Sequence, residues 1–324
     1  MKTALIIPYF GKLPRWSDLF FFSVMKNRNL DFYFFTDIDF DAKYLSIPNV
    51  FVKKISWNDY CDTISERLNI DFHPQKAYKL CDLRPFYGYV YQDLLSSYDY
   101  WGFCDIDLVF GNISDFVKSK TSAGYEVIST HGYKVSGHFC LFKNIENFRQ
   151  LPFTIKHWEK LLCGVVNVGL DEIGLTKILL PEHYLLDKFI YKCRDVFFHD
   201  TEVFDKREKT FSFINNMHRI LFKLIRRPHY SFQEMYTTHC AIPEKVWQSD
   251  RPEDYWIFKN GQITAFPTER DLIYLHFLFL KKNLYLHKGT FWNENEFYHV
   301  PLEYDLSFFN DKEIRIDRKG ISLP

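Results

Sequence analysis

The sequence predicts an α/β protein: a Rossmann-like mixed sheet flanked by helices, in a single large domain with a C-terminal extension. Three observations lead there. Thr3-Ala-Leu-Ile-Ile7 is a continuous apolar run, the pattern of a strand buried on both faces of a parallel sheet. A helical pattern and two more strand-like runs follow it, and strand, helix, strand, strand in that order implies right-handed crossovers. The length, 324 residues with 47% hydrophobic and 25% charged content, supports a folded globule with a core of ordinary size.

The first strand ends at Pro8-Tyr9-Phe10-Gly11. Trp16, Leu19, Phe20 and Val24 then recur at helical spacing and predict a crossover helix over 16–26. Asp31-Phe-Tyr-Phe-Phe-Thr-Asp37 reads as the second strand and Val50–Ile55 as the third. Ligands of open α/β sheets collect outside the carboxyl ends of the strands, which places Thr36 and Asp37 in the candidate site. A Thr-Asp turn or helix cap is an equal reading of the same pair.

Tyr100-Trp-Gly-Phe-Cys-Asp105-Ile-Asp107-Leu-Val-Phe110 is the stretch on which the chemistry turns. Its aromatic and β-branched residues, bounded by glycine, predict a buried strand. On a strand, side chains alternate faces, so Asp105 and Asp107 share one and Ile106 turns to the core. Two neighbouring carboxylates repel, and burying them bare is costly. A hard divalent cation, Mg²⁺ or Mn²⁺, answers that problem with oxygen ligands.

Gln75 to Gly88 leads into a helical stretch ending near Leu95, with Lys79, Asp82 and Arg84 offered either to a ligand or to a salt-bridged, solvated helix face. Tyr125–Thr130 and Gly137–Phe142 predict two more strands around a polar loop, with Gly137 permitting close backbone approach and His138 at its edge. Asp171-Glu172 opens an apolar helical pattern, where carboxylates also favour the helix macrodipole. Residues 189–213 give no clear pattern. Residues 214–227 form a basic amphipathic helix stopped by Pro228, suited to packing on the domain or to lying at the cytoplasmic face of the inner membrane. Asp271-Leu-Ile-Tyr-Leu-His276 is a last apolar strand ending in histidine, with Lys282 six residues on.

On Asp105-x-Asp107 closing a hydrophobic strand, and on His276 followed by Lys282, the chain resembles the GT-A glycosyltransferases. The likeness is clearest to the glycogenin-like and bacterial lipopolysaccharide sugar transferases. The resemblance implies a GT-A fold over residues 1–287, with 288–324 as a tail packed on it. It also implies that Asp105, Asp107 and His276 hold Mn²⁺ or Mg²⁺ under the diphosphate of a nucleotide sugar, with UDP the expected nucleotide. Pro8, Tyr9, Thr36 and Asp37 would meet the nucleotide, and Asp105 the ribose or the metal. Lys79, Asp82 and Arg84 would grip donor sugar and phosphate, although Arg84 follows Asp82 by two residues where the family has three. Gly137 and His138 would floor the sugar pocket, and Asp171 or Glu172 would act on the acceptor hydroxyl or steady the anomeric centre. Lys282 would meet the diphosphate, but Phe279 stands where the family has glycine, and Asn283-Leu284 where it has Pro-Trp. The expected activity moves a sugar to a glycan or lipid-linked glycan acceptor in bacterial surface polysaccharide synthesis. A sugar nucleotidyltransferase, or a non-catalytic glycan- or nucleotide-binding module, shares the same layout.

Composition trims the alternatives. Lys plus Arg and Asp plus Glu balance at 41 each, so no net field draws the chain to nucleic acid. Seven cysteines with no Cys-x-x-Cys spacing read as reduced thiols, as in the cytoplasm. The N-terminal apolar run stops at Pro8, too short for a signal peptide, and no run is long enough to span a bilayer.

Overall fold

Parallel pairing organises the N-terminal part of the chain. Strand β1 (Thr3–Pro8) lies between β2 (Leu30–Thr36) and β4 (Tyr100–Cys104), and β3 (Val50–Lys54) extends the row beyond β2. The computed structural model describes residues 1–197, 213, 216–218, 220–221, 224–225, 227–233, 255–276, 298–301, 305–317 and 320–324. The chain divides into two compact units: Met1–Tyr60, Ser97–Ala123 and Met235–Pro324 form the first, and Cys61–Ser96 with Gly124–Glu234 the second.

In the first unit, β1 is apolar on both faces, and Ala4, Leu5 and Ile6 are fully buried. Helix α1 (Ser17–Lys26) covers the sheet with Phe20 and Phe21. Their rings meet Phe34 and Phe110 at centroid separations of 5.4 to 6.3 Å, an aromatic core of edge-on and tilted contacts. Helix α2 (Trp57–Leu68) follows β3 and carries the chain from the first unit into the second, with Tyr60, Ile64 and Leu68 buried at helical spacing.

One strand was expected to run through both aspartates; instead β4 stops at Cys104, and Asp105, Ile106 and Asp107 form the connection to a separate strand, β5 (Leu108–Phe110). The physical reason lies at Ile106, whose carbonyl accepts from the Trp16 indole at 2.9 Å rather than from a neighbouring strand. The same residue still buries its side chain, as alternation required. Helix α3 (Ile113–Ser122) begins just beyond, capped by Asn112, which accepts from the Asp115 amide.

The second unit holds β6 (Val127–Ser129), antiparallel to β7 (Phe139–Lys143) and parallel to β8 (Tyr230–Phe232). The stretch expected to be helical up to Leu95 is helical but broken into short α and 3₁₀ pieces, with Pro85 inside a 3₁₀ turn over Arg84–Phe86. Leu170–Gly174 is one π-helical turn, and α4 (Pro181–Phe197) follows where the sequence reading found no pattern from 189 onward. Of the basic helix expected over 214–227, the described residues between Asn216 and Leu224 are helical, Ile225 and Arg227 are not, and the others lie outside the described residues.

The C-terminal part returns to the first unit as a five-stranded antiparallel sheet. Its order is β11 (Arg270–Leu272), β10 (Gln262–Phe266), β9 (Tyr255–Lys259), β13 (Ile314–Asp317) and β14 (Gly320–Ser322). The described part of 288–324 thus supplies two strands, a role beyond a tail packed on the domain. Between β11 and β13 the chain forms β12 (Tyr274–His276), which leaves this sheet to pair antiparallel with β5. The expected α/β class, with mixed pairing and flanking helices, is what the chain adopts. Among the described residues no helix is long and apolar enough to cross a membrane.

Candidate metal centre and carboxylate cluster

The β5–β12 pair brings residues from far apart in sequence to one point. Its register sets His276 opposite Leu108, directly after Asp107. Several polar contacts hold β5 in place. Phe110 donates its amide to Ser23 Oγ at 3.1 Å, and the Asn27 side chain donates to the Gly111 carbonyl at 2.8 Å while accepting from the Ser114 amide at 2.9 Å. Gly111 in turn donates its amide to the Ile273 carbonyl at 2.9 Å. A Cβ at Gly111 would stand 2.2 Å from the Leu272 carbonyl oxygen, so only glycine lets the incoming chain approach this closely.

The result is a cluster of three ligand-type side chains. His276 Nε2 lies 3.3 Å from Asp107 Oδ2 and 4.0 Å from Asp105 Oδ2. One ligand atom from each of the three lies within 4.8 Å of the others, and among the described residues no other such group occurs. Asp107 and His276 are buried, whereas Asp105 is partly open to solvent. The donor set fits a hard divalent cation. Octahedral coordination with metal–oxygen bonds of about 2.1 Å separates adjacent ligand atoms by about 3 Å, close to the shorter distance here. Two carboxylates with one imidazole are unlike the thiolate-rich sets of structural zinc.

The residues expected at the nucleotide gather at the same end of the sheet. Pro8 closes β1 and Thr36 closes β2, its neighbour in parallel. Tyr9 donates its amide to the Phe35 carbonyl at 2.9 Å, and its hydroxyl donates to the Lys12 carbonyl at 2.9 Å. Thr36 is buried and accepts from the Ile38 amide, the turn reading of that position. Asp37 is exposed, and its carboxylate accepts from the Gly11 amide at 3.0 Å. Since β4 runs parallel to β1, Asp105 leaves the sheet at this carboxyl end too.

A second cluster lies wholly within the second unit. Arg84 donates to the Gly137 carbonyl at 2.6 Å and to Asp171 Oδ2 at 3.0 Å. Gly137 donates its amide to Glu172 Oε1 at 3.2 Å, and Lys134 stands 3.6 Å from the other oxygen of Glu172. A Cβ on Gly137 would come within 2.8 Å of Glu172 Oε1 and 3.0 Å of Asp171 Oδ2. The close approach expected of Gly137 is therefore made by carboxylates of the protein itself. Asp171 and Glu172 sit in the π-helical turn, entered through Gly169 in the left-handed region (φ 71°), a distortion that often re-aims side chains at functional sites. His138 stands beside Ser136 Oγ at 3.1 Å.

Lys79 and Asp82 take another role. Both are buried, and Lys79 donates to Asp82 and to the carbonyls of Leu161 and Val166, each at 2.7 or 2.8 Å. An ammonium has three donors, and three acceptors are present. Asp82 also accepts from the amides of Val168 and Leu170. The pair pins the loop that carries the chain into the π-helical turn, and neither the exposed helix face nor a free phosphate-binding charge describes it. Lys282 lies outside the described residues. The six described cysteines are free thiols, as their spacing suggested.

Sequence reasoning missed the groups that place these clusters: Trp16 on Ile106, Asn27 on Gly111, and Lys134 on Glu172. Gly111 itself figured only as the glycine that bounds the predicted strand, and nothing in the sequence pointed to the strand that crosses it.

The comparisons with known proteins bear on this geometry. Residues 5–301 match the model of a family of unknown function, DUF6625. The chain belongs to that family. The match takes in Asp105, Asp107, His276, Asp171 and Glu172, so both clusters of this DUF6625 member lie inside the family's own extent. No curated protein matches the chain.

Proposed function

We propose that this DUF6625 protein is a metal-dependent glycosyltransferase that moves a sugar from a nucleotide-diphosphate donor, UDP by preference, to a glycan acceptor. The observation that carries the reading is the meeting of Asp105, Asp107 and His276 at the carboxyl end of a parallel sheet. Asp107 and His276 would hold Mn²⁺ or Mg²⁺, with Asp105, the most open of the three, shared between the ion and the ribose. A divalent ion there supplies Lewis-acid stabilisation of the negative charge on a departing diphosphate, worth several kcal/mol. Pro8, Tyr9 and Asp37 border the place where a nucleotide lies in sheets of this kind. Asp171 or Glu172 would accept the proton of the attacking hydroxyl, a contribution of about 10²–10⁴ in rate for a positioned base. Arg84 and the Gly137 amide fix those carboxylates in one orientation.

The test is nucleotide release from a panel of nucleotide sugars with Mn²⁺ present. Asp107→Ala is expected to abolish release and Mn²⁺ binding together while the circular dichroism spectrum is unchanged. Asp171→Asn is expected to lower kcat and leave Mn²⁺ binding intact. Wild-type release rates in Asp107→Ala at ordinary metal concentration would overturn the proposal, as would failure of every nucleotide diphosphate to shift the melting temperature with Mn²⁺.

A further inference from the structure

Asp171 and Glu172 are neighbours in one π-helical turn, yet their side chains stand in different surroundings. The Asp171 side chain is only 6% accessible, and the buried Tyr87 and Cys140 lie within electrostatic reach of it. Both of its oxygens are engaged. Oδ1 accepts from the Glu172 amide at 3.1 Å, and Oδ2 accepts from Arg84 at 3.0 Å. The Glu172 side chain is 39% accessible. Its Oε1 accepts from the Gly137 amide at 3.2 Å. Its Oε2 stands 3.6 Å from the Lys134 ammonium, too far for a hydrogen bond, and Lys134 is itself 35% accessible.

One short stretch of chain, 79–84, fixes this turn at two points. Asp82, fully buried and paired with Lys79, accepts from the amide of Leu170, the residue before Asp171, at 2.8 Å. Two residues on, Arg84 donates to Asp171 and to the Gly137 carbonyl. Because the Gly137 amide donates to Glu172, and the Glu172 amide to Asp171, the bonds close a ring through Arg84, Asp171, Glu172 and Gly137.

We infer that the acid pair divides its labour: Glu172 is the base that meets the acceptor hydroxyl, and Asp171 is a positioning residue, held by Arg84 and Asp82. The inference rests on the transferase reading of the site. A base must come within hydrogen-bond reach of the proton it takes, and of the two carboxylates Glu172 is the one open to solvent. Asp171 carries a further penalty. Protonating it would neutralise one half of an ion pair whose Arg84 side chain is only 14% accessible, leaving that charge uncompensated. In the step itself, the acceptor oxygen bonds to the anomeric carbon. The bond from that carbon to the diphosphate oxygen breaks with its electron pair on the diphosphate, and the hydroxyl proton passes to Glu172. Arg84 and Asp82 act on the protein's own chain, so their effect reaches the reaction through the placement of Glu172 and not through the donor.

The experiment has two arms on the full-length protein. The first needs no turnover: carbodiimide with glycine ethyl ester converts accessible carboxylates to amides, and fragment-ion mass spectrometry separates adjacent residues. Glu172 is expected to take the label and Asp171 to stay unmodified. The second arm is kinetic. Glu172→Gln should lower kcat about 10²–10⁴-fold at unchanged nucleotide-sugar KM, and should remove the fall in kcat toward acid pH. Asp171→Asn should lower kcat and keep that fall. Arg84→Lys keeps the charge but loses the planar fork. It should lower kcat by up to about a hundredfold, the cost of a misplacement of about 1 Å, with the nucleotide-sugar KM unchanged. Labelling of Asp171 on a par with Glu172, an acid-side fall that persists in Glu172→Gln, or a raised nucleotide-sugar KM at unchanged kcat in Arg84→Lys would overturn the inference. The last of these would put Arg84 on the donor. Absence of Mn²⁺-dependent nucleotide release from the wild-type protein would instead overturn the transferase reading, and the base role with it, whatever the labelling pattern.

Discussion

His183 shows how one side chain couples the second unit to pH. It is buried, with the His218 ring against its Nδ1, and Glu182, Asp187 and Arg227 are the charged groups around it. Tyr133 stacks on the far side of His218 at 3.9 Å. Burial, then the neighbouring imidazole, lowers the His183 pKa from 6.5 to about 4, against the weaker opposite pull of Glu182 and Asp187. The sign follows from linkage. Above pH 6.5 the ring is neutral whether the chain is folded or not, and its contribution to stability is fully present. As pH falls toward 4 the unfolded chain takes up the proton first, so stability is lost across that window, by at most about 3 kcal/mol at 1.36 kcal/mol per pKa unit. Urea denaturation between pH 7 and pH 4 should show the decline, and His183→Gln should flatten it. An equal slope in that variant would move the effect to other groups.

At the scale of the element, the candidate metal centre depends on β12 leaving one sheet to pair in another. Gly111 is the point at which that crossing is allowed. Adding one methyl there forces the Leu272 carbonyl away, since 2.2 Å is far inside contact and the obstacle is backbone. Gly111→Ala should therefore destabilise the protein by about 1–3 kcal/mol, the usual range for overpacking. It should also weaken Mn²⁺ binding at least tenfold as His276 moves with its strand, a change isothermal calorimetry can follow. Unchanged Mn²⁺ affinity would mean that the β12 register survives without Gly111. The same element marks what the sequence could and could not reveal. The strands β1, β2 and β3 were legible because local apolar runs dictate them, and Asp105 and Asp107 because neighbouring carboxylates call for a cation, whereas His276 was legible only through the resemblance to the glycogenin-like enzymes. The pairing of β12 with β5 was not legible, since β5 is three residues long and the contact joins segments far apart in the chain. Lys79 and Asp82 were read from their charge, whereas their depth, which sets their role, comes from the loop folded over them. Strand β4 was placed correctly but extended too far, because an indole from α1 takes the hydrogen bond a neighbouring strand was expected to supply.

For the whole molecule, the balance of 41 basic and 41 acidic residues means that no overall field concentrates cations near the centre. Affinity must come from the three ligands themselves, so a bound ion acts on the chain as a local cross-link between the 105–107 connection and β12. A ligand that binds only the folded state stabilises it by about 2.7 kcal/mol at a hundredfold excess over its Kd. Mn²⁺ should accordingly raise the melting temperature, a chelator should reverse the rise, and Asp107→Ala should show neither effect. Where the protection falls is the sharper measurement. Amide exchange in β4, β5 and β12 should slow with Mn²⁺. Exchange in β6 and β7 should slow with it only if the two compact units open in one cooperative step, because protection spreads no further than the unit that unfolds together. Slowing in the first unit alone would assign each unit its own opening free energy. No slowing at β12 at all would take His276 out of the ligand set.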